Sequence, residues 1–159
     1  MEFRPMRRAK QQLSQAECDA LLREQWRGVL ALAGDGGYPY AVPLDFLYDA
    51  QARKFYFHCA KEGHKLDAIR ACAKASFCVV DGGVQRADHW SKDFRSVIAF
   101  GTVRVIEDGA EKDALLRRFG AKFIPTGQEL ERELANAAAR ANVLELTVEH
   151  MTGKRVNES

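Results

Sequence analysis

No apolar run in this chain of 159 residues is long enough to cross a bilayer, which takes roughly 18–20 consecutive apolar residues. The longest candidate, Gly28 to Gly34, has the length of a strand. A secretory signal is also missing, because the basic N-terminus leads into Gln11, Gln12 and Ser14 rather than into an apolar segment. We therefore expect a cytoplasmic protein without a membrane partner.

Cysteine is scarce and unpatterned. The four cysteines form no Cys-x-x-Cys pair and no zinc-type spacing, and His58 and His64 have no third or fourth ligand at a familiar distance along the chain. In a reducing compartment such cysteines are mostly small buried apolar residues. The sequence thus predicts free cysteines and no metal site.

An excess of charge of one sign is missing as well. Lys and Arg number 24 against 22 Asp and Glu, a balance too even for a protein that wraps nucleic acid. We interpret Arg4, Arg7, Arg8 and Lys10 as part of a solvated arm over residues 1–12, and we expect no nucleic-acid partner. The hydrophobic share of 47% and the charged share of 29% are ordinary for a globular chain, and the length suits one domain over residues 1–159.

The pattern of apolar residues predicts an α+β fold, a small barrel of about six mainly antiparallel strands with flanking helices. Ser14 and Glu17 form a capping box that starts the first helix. Pro43 marks an edge or an interruption of its strand, and Gly101 marks a bulge. The predicted strands are 28–33, 40–48, 54–59, 75–80, 96–106 and 143–148, and the predicted helices are 14–26, 64–71, 108–119 and 126–140, with a loop at 85–95.

The segment His58 to Lys65 joins an aromatic strand to a helix, and such a junction supplies unpaired backbone N–H groups and a favourable dipole for a phosphate. Lys61 and Lys65 add positive charge, and Gly63 lets the backbone approach closely. A solvated turn is the alternative interpretation. His58 is either a packing residue or a catalyst, and Cys59 should point to the opposite face of the strand, so the two form no nucleophilic pair.

Two runs of the chain, Pro39 to Asp49 and Phe55 to Leu66, resemble the nitroimidazole-resistance (Nim-type) branch of the pyridoxamine 5′-phosphate oxidase-like flavoproteins. The segments Phe94 to Gly101 and Thr152 to Lys154 match in the same order. The resemblance implies a split β-barrel, a homodimer with flavin at the subunit interface, and FMN as the cofactor.

The resemblance also implies roles for individual residues. The backbone of Val42, Pro43 and Leu44 would lie near the polar edge of the flavin, and Ser96 and Val97 would approach it. The phosphate would be cradled by the segment that contains His58, Cys59, Lys61, Gly63 and Lys65.

His58 is the candidate catalytic residue, and Trp90 and Phe94 are candidates for lining a substrate slot, although Trp90 could equally anchor its loop on the barrel. The usual residue after the histidine is a small hydroxylic residue or glycine, whereas this chain has Cys59. The arginine and tryptophan signature of true pyridoxamine phosphate oxidases is absent from Val143 to Ser159, which argues against vitamin B6 oxidation.

These implications predict an FMN-dependent oxidoreductase that reduces a small electron-poor molecule, such as a nitroimidazole or a nitroaromatic compound, with NADH or NADPH as the electron donor. Two alternatives stay open. One is a flavin-binding or redox-sensing protein without turnover, and the other is a haem-binding protein on the same fold.

Overall fold

A curled antiparallel sheet forms the centre of the computed structural model, which describes residues 2–87, 90, 92–123 and 127–157. The strands are β1 (Gln12–Leu13), β2 (Arg27–Ala33), β3 (Pro39–Asp45), β4 (Leu47–Asp49), β5 (Lys54–Ala60), β6 (Lys74–Val80), β7 (Val84–Gln85), β8 (Lys92–Ile106) and β9 (Ala141–Val156). The helices are α1 (Gln15–Glu24), α2 (His64–Ala71), α3 (Ala110–Phe123) and α4 (Gly127–Ala138). None of these helices has both the length and the apolar character that a membrane span requires.

The strand order β3-β2-β6-β8-β9-β5-β4 places β3 and β4 at the two ends of the sheet. The two strands are separated only by Phe46, so the chain passes directly from one edge to the other and the sheet curls into a barrel. Because β4 pairs only with Lys54 to Tyr56, the His58–Ala60 end of β5 faces β3 across a gap. We call this gap the seam, and it makes the barrel a split β-barrel, as the family resemblance implies.

Alternation along the strands fills the barrel with aromatic and aliphatic side chains. Phe46, Phe55, Phe57 and Phe77 are fully buried, and their ring centroids lie 4.8–6.5 Å apart. A second cluster joins Leu115 and its neighbours on α3 to β5 and β9, so α3 lies against the outside of the barrel near the seam. Burial of each such large apolar side chain contributes roughly 1.5–3 kcal/mol.

Several local predictions are confirmed. The Ser14 hydroxyl accepts the N–H of Glu17 while the Glu17 carboxylate accepts the N–H of Ser14, which completes the capping box. Pro43 lies on β3, an edge strand, together with Pro39. The ladder between β8 and β9 shifts register at Gly101, where a Cβ atom would lie 2.0 Å from the carbonyl oxygen of Thr147.

Other predicted boundaries are wrong, and β8 and β9 are longer than predicted because pairing across the sheet extends them beyond their local patterns. β8 begins at Lys92, so Phe94 lies in a strand opposite Val156 and not in a loop at 85–95. β9 runs over Ala141–Val156 instead of 143–148, since its ladder with β8 continues to the end. The predicted strand 40–48 is interrupted at Phe46, α3 continues to Phe123, and the predicted helix start at Thr126 lies outside the described residues.

The N-terminal arm is only partly solvated. The ring of Phe3 stacks on His150 at 4.6 Å and lies 5.7 Å from Phe100, and Gln12 pairs with Lys154. The intervening arginines are exposed, as expected.

Candidate functional site

Two neighbouring cavities open along the seam. The first, which we call the seam groove, has a volume of about 240 Å³ and is lined by Arg27, Pro43, Leu44, Asp45 and His58. The second, which we call the helix pocket, has a volume of about 400 Å³ and lies between His58, α3 and α4. Asp45 and His58 line both cavities, so the two lie side by side.

His58 projects from β5 into this site because its neighbours Phe57 and Cys59 point into the barrel. The ring of Phe119 on α3 meets the imidazole edge-on, with the centroids 5.0 Å apart. Surrounding apolar atoms lower the pKa of His58, Asp45 opposes this shift, and the charge of Lys65 lowers the pKa further. The imidazole is therefore neutral at pH 7, and it can donate or accept a hydrogen bond or exchange a proton with a bound molecule.

Cys59 lies on the opposite face of β5, as predicted. Its thiol is buried, and burial raises its pKa, with the charge of Lys65 acting in the other direction. The thiol therefore stays protonated and takes no part in nucleophilic chemistry with His58.

The turn into α2 has the features of an anion-binding corner. Gly63 has a φ of 119°, and its carbonyl oxygen accepts the N–H groups of Leu66 and Asp67 at 2.9 and 3.3 Å. Within the described part of the chain, the N–H groups of His64 and Lys65 meet no acceptor, and the half-buried Lys65 has no ion-pair partner. The corner therefore offers two backbone donors and a free ammonium group.

Lys61 and His64 have other partners. The Lys61 ammonium group donates to both carboxylate oxygens of Asp108 at 3.0 Å, which turns it toward the start of α3. The His64 ring stacks on Tyr40 at 4.1 Å and lies 3.5 Å from the Asp35 carboxylate. His64 thus fixes the start of α2 against the β2–β3 hairpin and helps to hold Lys65 in place.

Of the twelve predicted site residues, three line the seam groove or the helix pocket, namely Pro43, Leu44 and His58. The predicted residues of β8 and of the loop before it lie elsewhere. Val97 points into the barrel core at 1% exposure, and Ser96 faces outward beside Val80 and Lys154. Phe94 lines a separate cavity of about 380 Å³, and Trp90 is 96% exposed.

Some residues of the site do not stand out in the sequence. Arg27 and Asp45 are cross-strand partners whose side chains form an ion pair at 2.7 Å, and counting outward from the turn around Gly36 would have found this register. The apolar wall of the helix pocket depends on the packing of α3 and α4, for which the sequence gives no local pattern. α3 is held at the seam by Lys122, which donates to the carbonyl oxygens of Gln25 and Phe46 at 3.0 and 2.8 Å.

The sequence model of the pyridoxamine 5′-phosphate oxidase family matches residues 14–155. Comparison with curated proteins gave no significant match.

Solved structures give the same fold. A proposed 5-nitroimidazole antibiotic resistance protein from Bacteroides thetaiotaomicron has a TM-score of 0.74 at 21% identity, over 92% of this chain and 90% of that chain. An FAD-binding protein from Mesorhizobium loti has a TM-score of 0.66 at 24% identity, over 92% and 96%. An FAD- and haem-binding protein from Mycobacterium smegmatis has a TM-score of 0.73 at 25% identity, over 93% and 74%. The family match, which spans nearly the whole chain, together with the split barrel, shows that this chain belongs to the pyridoxamine 5′-phosphate oxidase-like family.

Proposed function

We propose that this chain is a flavoprotein that binds FMN along the seam and reduces a small electron-poor compound. The observation that carries the proposal is that His58, which lines the seam groove, lies close enough to Lys65 of the anion-binding corner for the lysine charge to lower the pKa of the imidazole. Similar structures that bind FAD support a flavin as the ligand. The free Lys65 ammonium group favours a flavin with a terminal phosphate.

The residues present fit such a ligand. Lys65 and the N–H groups at the start of α2 would hold the phosphate, and the backbone of Val42 to Leu44 would meet the polar edge of the ring. Within the described part of the chain, the edge strand β3 has no strand partner on its outer side, so backbone groups there are open to a flavin edge. Pro43 would contribute only its carbonyl oxygen, as an acceptor, because proline has no N–H. Lys61, which is already bound to Asp108, would contribute less than Lys65.

A second copy of the chain would complete the site. The outer face of β2, β6 and β8 exposes a group of large apolar side chains that lie on adjacent strands: Val29, Val80, Ile98 and Phe100. An apolar patch of this kind is typical of a self-association surface, and we propose that it forms the homodimer interface. Ser96, on the same face, and the exposed Trp90 would then act on the flavin or the substrate of the partner chain.

A bound flavin would supply two-electron transfer, and the protein would position the acceptor and handle its protons. For a nitro compound the overall reaction is R–NO₂ + NADH + H⁺ → R–NO + NAD⁺ + H₂O, with NADPH as an equivalent donor. The neutral His58 imidazole would hydrogen-bond the acceptor, and it could relay the proton that ends in water.

The test is an absorption spectrum of the freshly purified protein followed by titration with FMN, FAD and riboflavin. Flavin absorption bands and tightest binding of FMN are expected, and anaerobic NADH or NADPH should bleach the bands until a nitroaromatic compound restores them. A protein that stays colourless in excess FMN would refute the proposal. Flavin binding without reaction with any donor would favour a binding or redox-sensing protein, and a Soret band would favour haem.

A further inference from the structure

The helix pocket is chemically different from the seam groove beside it. Five of its lining side chains are large and apolar, namely Leu116, Phe119, Phe123, Leu130 and Leu134. The two aromatic rings are 5.1 Å apart, and Phe119 also contacts His58. Such a wall accepts a flat apolar ring, since offset and edge-on contacts between rings are favourable.

The ionisable lining of the pocket carries no positive charge of its own. Among the described residues the ionisable side chains that line it are Asp45, Glu133 and His58, and no lysine or arginine does so. The guanidinium group of Arg27 lies in the neighbouring groove and is already paired with Asp45 at 2.7 Å. The other nearby cations have partners too: the Arg132 guanidinium lies 4.0 Å from the Glu133 carboxylate, and Lys122 donates to the carbonyl oxygens of Gln25 and Phe46. Lys65, whose charge reaches His58, belongs to the corner proposed for the flavin phosphate. His58 is neutral, so an anionic ligand in the pocket would lose its hydration against an apolar wall and meet two carboxylates whose cations are already engaged.

From this lining we infer that the helix pocket is the acceptor site, that it selects uncharged ring compounds and that it rejects anionic ones, including phosphate esters. The inference rests on the proposed function and names the substrate class of that site. An uncharged ring in the pocket would lie against Phe119, with its polar substituent toward His58 and the seam groove. Glu133, on the exposed rim of α4, is then a specificity-determining residue.

The test compares 4-nitrobenzyl alcohol, which is neutral, with 4-nitrobenzyl phosphate and 4-nitrobenzoate, which are anionic. The flavin-loaded protein should reduce the alcohol with a kcat/KM about tenfold or more above that of either anion. The three compounds differ in intrinsic reactivity, but this difference is the same for every variant. The alcohol-to-anion ratio of kcat/KM is therefore compared between variants. Glu133→Lys should lower the alcohol-to-anion ratio of kcat/KM severalfold. Glu107→Lys, the same change at an exposed position before α3 that does not line the pocket, should leave the ratio within about twofold.

Saturation-transfer NMR of the same compounds provides a readout that does not depend on turnover. The alcohol should receive saturation from the leucine methyl groups of the protein, and the two anions should not. Equal binding of all the compounds, or an equal response of the two variants, would overturn the inference. Selective binding of the alcohol by a protein that takes up no flavin would instead refute the proposed function and leave the pocket assignment intact.

Discussion

Replacing Lys65 with glutamine is the sharpest single test of the phosphate site. The change removes one charge and keeps most of the side-chain length. In the structure the Lys65 ammonium group is half-buried beside the first turn of α2 and has no ion-pair partner among the described residues. A hydrogen bond to a charged group contributes about 1.5–3 kcal/mol, and each 1.4 kcal/mol is a factor of about ten in affinity.

The Kd for FMN should therefore rise roughly 10- to 150-fold in Lys65→Gln. Riboflavin, which lacks the phosphate, should bind both proteins with a Kd that agrees within about twofold. Quenching of flavin fluorescence measures both constants. Lys10→Gln is the matched control, because it removes the same charge from an exposed turn before β1 and should change neither Kd.

Two results would refute the reasoning. If Lys65→Gln weakens FMN and riboflavin equally, the side chain supports the fold of the site rather than the phosphate. If FMN affinity is unchanged while the fold is intact by circular dichroism, the phosphate lies elsewhere.

Further predictions concern His58, the β-bulge and the first helix. The His58→Ala protein should retain FMN, as measured by absorbance after dialysis. Its kcat for acceptor reduction should be about 10²- to 10⁴-fold lower if the imidazole transfers a proton. Loss of FMN would instead show that His58 has a structural role. Because the folded state lowers the pKa of His58, the free energy of unfolding should fall as the pH drops below about 6.5, and urea unfolding should show a smaller fall in His58→Ala. Gly101→Ala should lower the free energy of unfolding by about 3 kcal/mol or more, since its Cβ would clash with the Thr147 carbonyl oxygen. Gly127→Ala is the control in the same urea assay, and it should change the free energy of unfolding by less than about 1 kcal/mol because the space around Gly127 is open. Ser14→Ala removes the N-cap of α1 and should lower the free energy of unfolding by about 1 kcal/mol. An unchanged midpoint of thermal unfolding would contradict the capping role of the Ser14 hydroxyl.

Features that depend on a few neighbouring residues could be predicted from the sequence. The capping box at Ser14, the edge position of Pro43 and the bulge at Gly101 each follow from the chemistry of one or two side chains. The anion-binding corner is of the same kind, because the end of β5, the turn at Gly63 and Lys65 are contiguous in the chain.

Features that depend on distant partners could not be predicted in this way. The last residues of β9, including Lys154 and Arg155, are polar and resemble a tail, yet they form a strand because β8 supplies a ladder for them. The helix pocket is a similar case, since Phe119 and Leu134 have the spacing of ordinary core residues and only the packing of α3 on α4 gathers them at His58. The sequence thus identifies the proposed phosphate end of the site more fully than the proposed acceptor end.

The two prolines of β3 have a consequence for the behaviour of the molecule in concentrated solution. A barrel that stays open at a seam exposes a strand edge, and such an edge invites the addition of a strand from another chain. Proline has no backbone N–H, so Pro39 and Pro43 leave this edge unable to offer a continuous row of donors. The groove can therefore remain accessible to a small ligand without becoming a template for aggregation.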